Sequence, residues 1–181
     1  MKADLWVFGY GSLIWNPEFD VAERVIAALP GYDRTFCMRS VHHRGTEAAP
    51  GLVLALDRTD GTLCTGLALR ARRGTEAATL AMLRARELVS SAYLERQVTL
   101  ALGDGRRVTA VAYVVDRNHV QYTGKLELEE QAQIIARSVG GRGPNSEYLF
   151  NTTAHLAELG IHDPDLQWLA MRVRHIRGLP A

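Results

Sequence analysis

Residues 93–115 read YLERQVTLALGDGRRVTAVAYVV. Two runs rich in β-branched and aromatic residues, 93–101 and 107–115, flank Gly103-Asp104-Gly105. Glycine and aspartate supply the positive-φ positions that a tight hairpin requires, so this stretch predicts two antiparallel strands. Toward the N-terminus, the apolar runs 52–56 and 63–69 are separated by a turn-like 57–61 and predict a second hairpin. Residues 21–29 fit a helix or a strand; Pro30-Gly31 interrupts them, and 32–40 has strand-like aromatic and Thr content. A hairpin through Pro30-Gly31 is the expectation. Residues 5–8 predict a buried strand that enters the glycine-rich turn Gly9-Tyr10-Gly11-Ser12.

Helical signals are fewer. One helix is expected from Gly74-Thr75 to about Leu88. A second is marked by Leu128, Ala132, Ile135 and Val139 and stopped by Gly140-Gly141. A third runs from Pro144-Asn145 to near Gly160, and Asp163 caps a fourth with Pro164 at its first position. The fold class is α+β: a β-rich N-terminal two-thirds with one inserted helix, then helices packed against it. Residues 1–181 are read as a single domain, with no linker or repeat.

Composition excludes several classes. Lys and Arg total 21 against 20 Asp and Glu, a net charge of +1. That balance gives no general attraction to nucleic acid or membranes. Arg70, Arg72, Arg73 and Arg172, Arg174, His175, Arg177 form two basic clusters, read as solvated surface. No apolar run approaches the roughly 18 residues of a membrane span. The opening residues lack the pattern of a signal peptide. Cys37 and Cys64 sit inside apolar runs and are read as buried thiols of a reducing, cytoplasmic protein.

Three motifs can carry chemistry. In Phe8-Gly9-Tyr10-Gly11-Ser12-Leu13, glycine at a strand end admits a ligand close to the backbone, and successive N–H groups can cradle a carboxylate or phosphate. A plain tight turn fits the same residues. Ile14 stands where the dinucleotide fingerprint needs its third glycine, and no Gly-Lys-Ser/Thr occurs. Glu87 is the second candidate. On a helical wheel of residues 76–88 it falls between Leu80 and Leu83, on a face shared with Ala77 and Ala81. Burial without a cation would raise its pKa toward the range useful for proton transfer. A structural glutamate paired with Arg84 or another arginine, or one reaching solvent at a frayed helix end, fits equally well. Glu76 shares that face but sits in the first turn, where it favours the helix dipole. The third is 141–148, mostly helix-stop and helix-start chemistry, with Tyr148 able to offer a hydroxyl. The histidines lack metal-ligand spacing, and neither Cys-x-x-Cys nor a Gly-x-Ser-x-Gly elbow is present.

Four segments in order resemble the ChaC-like γ-glutamylcyclotransferase family. They are FGYGSLIW at 8–15, FCMRSVHHRGTEAAPGLVLALD at 36–57, the Arg86-Glu87 pair, and GRGPNSEYLF at 141–150. The sequence departs from the family after Glu87, where 88–93 carry small residues but no glycines, and at 44–50. The resemblance implies a small mixed β-barrel flanked by helices. It implies cleavage of a small γ-glutamyl peptide, glutathione foremost, into 5-oxoproline and Cys-Gly without metal or organic cofactor. Glu87 would be the acid/base, Tyr10, Gly11, Ser12 and Leu13 would hold the α-carboxylate, and Tyr148 and Tyr122 would line the pocket. Two alternatives stay open: a cyclotransferase for other γ-glutamyl amines or amino acids, and a non-catalytic module that regulates a transporter or another partner. The sequence assigns no oligomeric state.

Overall fold

A computed structural model describes residues 3–181. Met1 and Lys2, which open the stretch read above as lacking a signal peptide, lie outside it. The hairpin expected around Gly103-Asp104-Gly105 is present. Strands β4 (Tyr93–Leu102) and β5 (Arg107–Val115) pair antiparallel from Tyr93↔Val115 to Ala101↔Arg107. Leu102 N donates to Arg106 O at 2.8 Å across the turn, and Gly105 takes φ 91°. Glycine has no Cβ to oppose that conformation.

Strand β1 (Trp6–Gly9) lies parallel to β5 and antiparallel to β3 (Gly51–Ala71). With β2 (Val21–Ser40) the order β1-β3-β2-β4-β5 closes into a barrel, mixed because β1 runs parallel to β5 while β1–β3, β2–β4 and β4–β5 are antiparallel. Residues two apart share a strand face. Thus Trp6 and Phe8, Val98, Leu100 and Leu102, and Ala110, Ala112 and Val114 gather in one core with Ala27, Leu29, Leu56, Cys64 and Ala68. Small alanines opposite two large aromatics suit the narrow interior of a barrel with few strands.

Two expected hairpins are corrected. Residues 21–40 form one strand of 20 residues and 51–71 one of 21, with no reversal at Pro30-Gly31 or at 57–61. Gly31 and Gly61 both take φ 81°. A bend within a strand and a reversal between strands use the same positive-φ residue, so the local signal is shared; pairing with distant strands decides between them.

The chain divides into two compact units: residues up to Arg34 with Leu56–His119, and Thr35–Ala55 with Val120–Ala181. The barrel core and helix α1 (Glu76–Glu87) belong to the first. In the second, α2 (Leu128–Arg137), α3 (Asn145–Glu158) and α4 (Pro164–Ile176) pack together. They bury Ala132 and Ile135, Leu149 and Leu156, and Leu166, Leu169 and Val173. Asp163 caps α4 as expected, its carboxylate accepting from Leu166 N at 3.1 Å.

The basic clusters are not simply solvated. Arg172 donates through two nitrogens to Glu129 of α2, each at 2.8 Å, and Arg174 lies 4.4 Å over the Phe150 ring. Arg70 donates to Glu23 at 3.0 Å and lies over Trp6. Long aliphatic stems let arginine pack while its head finds a partner, which charge counting along a sequence does not reveal. Both cysteines are buried thiols, and neither is in a disulfide.

Candidate active site

Glu87 ends α1, and its burial follows from the face that α1 turns inward. Thr79 and Leu83 are the buried residues of that helix, while Ala77 and Ala81 are exposed. The expected face is therefore displaced toward Thr79. Alanine gains little from burial and does not set a helix's orientation, whereas Leu83 does. Glu87 lies one turn after Leu83, so it stays on the inward side. Its side chain is only 18% exposed.

Of the arginine partners left open for Glu87, Arg84 is not the one used. Arg84 instead donates twice to Glu95 on β4, at 2.8 Å each, and buried Tyr113 on β5 donates its hydroxyl to the same carboxylate at 3.1 Å. Burial, followed by the charge and the hydrogen bond of Glu95, pushes the Tyr113 hydroxyl well above its ordinary pKa. It therefore stays protonated. Arg86 is the cation beside Glu87, its Nε 3.2 Å from Oε1. That guanidinium is shared: Nη1 donates to Asn16 O at 2.6 Å and Glu18 Oε2 at 2.9 Å, and Nη2 to Ser12 Oγ at 2.8 Å. Desolvation outweighs Arg86, and the charge of Glu18 adds to it, so the Glu87 carboxyl is held above the usual carboxylate range.

The turn after β1 is a single 3-10 turn, Ser12–Ile14. Gly11 and Leu13 are buried, Tyr10 and Ser12 half-buried. Ile14 N donates to Gly11 O and Asn16 N to Ser12 O, which turns those carbonyls back into the loop. Among the described residues, no loop, turn or cap hydrogen bond between backbone groups engages the N–H of Gly11, Ser12 or Leu13. Arg34, 5% exposed, donates from Nε to Tyr10 O at 2.6 Å and from Nη2 to Thr65 O at 2.5 Å. The peptide bonds are trans, so Gly11 N–H points opposite the carbonyl that Arg34 grips.

The Tyr10–Leu13 turn is thus brought to Glu87 through Arg86, whose guanidinium touches Ser12 and Glu87 at once. Sequence reading overlooked Arg34 and gave Arg86 no role of its own. A charged residue just before the mostly apolar run 35–38 was the available signal for Arg34. For Arg86 it was the Arg86-Glu87 pair of the family resemblance, which says nothing of the arginine's partners.

Tyr122 and Tyr148 belong to the second unit. Tyr122 forms an isolated β-bridge with Met38, flanked by Thr123 N donating to Cys37 O and Arg39 N to Gln121 O. Tyr148 meets Phe36 edge-on at 6.0 Å and carries Arg44 over its ring at 5.6 Å. Arg44 also donates to Arg142 O and Pro144 O. Asn145 is fully buried, with Nδ2 donating to Leu52 O at 2.8 Å and Oδ1 accepting from Leu52 N at 2.7 Å. The second helix stops at Arg137, short of the expected Val139, which is exposed. Val139–Gly140 (β6) and Gly143–Pro144 (β7) form a two-stranded turn within the stretch whose 141–148 part was read as mostly helix-stop and helix-start chemistry. That turn sits hard against residues 43–45: a Cβ on Gly140 would lie 2.5 Å from the amide nitrogens of Arg44 and Gly45.

Residues 5–176 match the family described as ChaC-like protein. The chain belongs to the ChaC-like family. An Escherichia coli (strain K12) relative, named glutathione-specific γ-glutamylcyclotransferase, is 37% identical over 175 residues, covering 97% of this chain and 75% of the relative. Arabidopsis thaliana γ-glutamylcyclotransferase 2-1 is 35% identical across 97% of this chain and 85% of its own. The crystal structure of a yeast γ-glutamylcyclotransferase specific to glutathione shares the fold, with a TM-score of 0.86 at 24% identity over 97% and 98% of the two chains.

Within this ChaC-like chain, the sequence segments that resembled the family are structural partners. The 8–15 segment and the Arg86-Glu87 pair meet in the first unit through Ser12. In the second, the 36–55 part of the 36–57 segment and 141–150 are joined by Asn145, Arg44 and Tyr148. Among the described residues, no group of three or more His, Cys, Asp or Glu side chains is placed to hold a metal ion.

Proposed function

We infer that this ChaC-like protein is a glutathione-specific γ-glutamylcyclotransferase in which Glu87 is the general acid/base. The observation that carries the reading is a desolvated carboxylate at the end of α1, tied through one guanidinium to a turn whose Gly11–Leu13 amides enter no loop, turn or cap hydrogen bond with another backbone group among the described residues. The named relatives support the reaction class and the γ-glutamyl substrate.

The proposed chemistry follows from that arrangement. The amides of Gly11, Ser12 and Leu13, with Tyr10 beside them, receive the α-carboxylate of the γ-glutamyl group. Glu87 removes a proton from the α-ammonium. The freed lone pair attacks the γ-carbonyl, a five-membered ring forms, and the amide bond to Cys-Gly breaks. Glu87 then returns the proton to the departing amine, the second proton shed by the ring nitrogen follows through the same carboxylate, and Cys-Gly leaves as its ammonium, so atoms and charge balance without water. Nucleophile and electrophile belong to one molecule, and orientation replaces a second-reactant encounter. A carboxylate held above its ordinary pKa is a stronger base than an exposed one, which suits removal of a proton from an ammonium. For Tyr122 and Tyr148, a role in substrate binding rests on the family resemblance alone, and only Tyr148 lies within one of its motifs.

No helix among the described residues is long and apolar enough to cross a membrane. A cytoplasmic protein acting without nucleic acid is the proposed setting; many of its arginines are already committed to partners within the chain.

The test is incubation of purified protein with glutathione, with and without a chelator, following 5-oxoproline and Cys-Gly by mass. Equal amounts of both products are expected in either condition. Glu87→Gln should lose turnover by at least about 100-fold while still binding γ-glutamyl compounds. The same assay on Tyr122→Phe and Tyr148→Phe reads whether KM responds to either hydroxyl. Activity only with other γ-glutamyl compounds would move the reading to a different cyclotransferase. Binding without turnover across that panel would make the protein a binding module.

A further inference from the structure

Glu18 lies in the loop after the 3-10 turn and takes φ 61°, a left-handed conformation that a non-glycine residue adopts only when its surroundings hold it there. Its carboxylate accepts from Arg86 Nη1 at 2.9 Å, on the same guanidinium whose Nε lies 3.2 Å from Glu87 Oε1. Nη1 also binds Asn16 O and Nη2 binds Ser12 Oγ. A guanidinium presents five N–H donors in a rigid fork, and a carboxylate gains most when two parallel donors face it. Here one edge of the fork is spent on the loop and the turn, and Glu87 is left with the Nε side.

From this geometry we propose that Glu18 is a positioning residue for the reaction inferred above. It draws the Arg86 fork toward the Asn16–Glu18 loop, and so keeps Glu87 a proton acceptor of useful strength rather than half of a closed ion pair. The groups facing Glu87 are Arg86 on its own helix, Glu18 from the loop, and Tyr113 from β5, which holds Glu95 and, through it, Arg84. Glu18 is the anionic member of the facing set. Its removal takes away a like charge and frees Arg86 toward Glu87, and both changes favour ionised Glu87. The direction of the effect is therefore downward. The inference rests on Glu87 being the acid/base.

Two variants separate charge from backbone. Glu18→Gln keeps an acceptor for Arg86 and loses only the charge; Glu18→Gly loses both and relieves the left-handed backbone, so a shift in it is not a folding defect. The acid limb of kcat/KM against pH should move down by about half to one pH unit in both. Glu87 itself is titrated by 13C NMR on carboxyl-labelled protein, its resonance assigned by loss in Glu87→Gln, and its midpoint should fall by the same amount. An unmoved or raised midpoint in both variants overturns the role of Glu18. Wild-type protein with no turnover of any γ-glutamyl compound would sink the functional reading instead, and the NMR titration would still decide whether Glu18 sets the ionisation of Glu87.

Discussion

Glu87 illustrates how one residue can cost the fold something that the proposed reaction uses. Its folded-state pKa lies above the ordinary carboxylate value because burial outweighs the attraction of Arg86. For a carboxyl raised in this way, the folded state binds more protons than the unfolded state between the two pKa values. Stability therefore falls as pH rises from the ordinary value of 4.5 through the folded one. Glu87→Gln removes that loss. It should melt higher than wild type at pH 7, and the difference should vanish below the ordinary carboxylate range, where wild-type Glu87 is protonated in both states. Paired thermal melts across pH check this, and a lower melting temperature at neutral pH would show that Glu87 is ion-paired rather than desolvated. The presence of an acid on the inward face was legible in the sequence. Its partner was not, because Arg84 and Arg86 are both near neighbours on one helix and only β4 draws Arg84 away.

At the scale of elements, the second unit depends on one side chain acting as a piece of strand. Asn145 gives Leu52 both the donor and the acceptor that a neighbouring strand would supply, with no exposure to water. Asn145→Ala leaves a buried N–H and a buried C=O without their partners, at about 1–3 kcal/mol each. A loss of about 2–5 kcal/mol in urea unfolding is the expected outcome, and a change below 1 kcal/mol would mean that water or backbone movement replaces the amide. The glycine packing beside it is equally strict, since a Cβ on Gly45 would lie 2.0 Å from Gly51 N. Sequence reading assigned 141–148 to helix ends and was right that α3 starts at Asn145. It missed that the same residues fasten the 43–45 loop, because nothing local says which distant backbone a glycine must approach.

For the whole molecule, β2 and β3 each contribute residues to both compact units without a break in the strand. Unfolding of either unit takes part of each strand with it, so residues 1–181 are expected to behave as one cooperative domain. Coincident denaturation curves from far-UV circular dichroism and tryptophan fluorescence would bear this out; two separated transitions would make the units independent. By itself the sequence determined the α+β class, the Gly103–Gly105 hairpin, the helices and their Asp163 cap, and the residues Glu87 and Tyr10–Leu13 that the family motif singles out. The class, the hairpin, the helices and the cap follow from periodicity, turn chemistry and local order, which act over a few residues; Glu87 and Tyr10–Leu13 stand out as site candidates through the family resemblance. The tertiary structure alone decided that Pro30-Gly31 and Asp60-Gly61 bend strands instead of reversing them, and that Arg34 aims the turn. It also decided that Arg172 and Arg174 are stitched to α2 and α3 and Arg70 to Glu23 and Trp6, and that Arg86 is divided between Glu18, Ser12 and Glu87. Each of those outcomes is a competition for partners far away in the chain, and it is resolved only when the barrel closes and brings the competitors within reach.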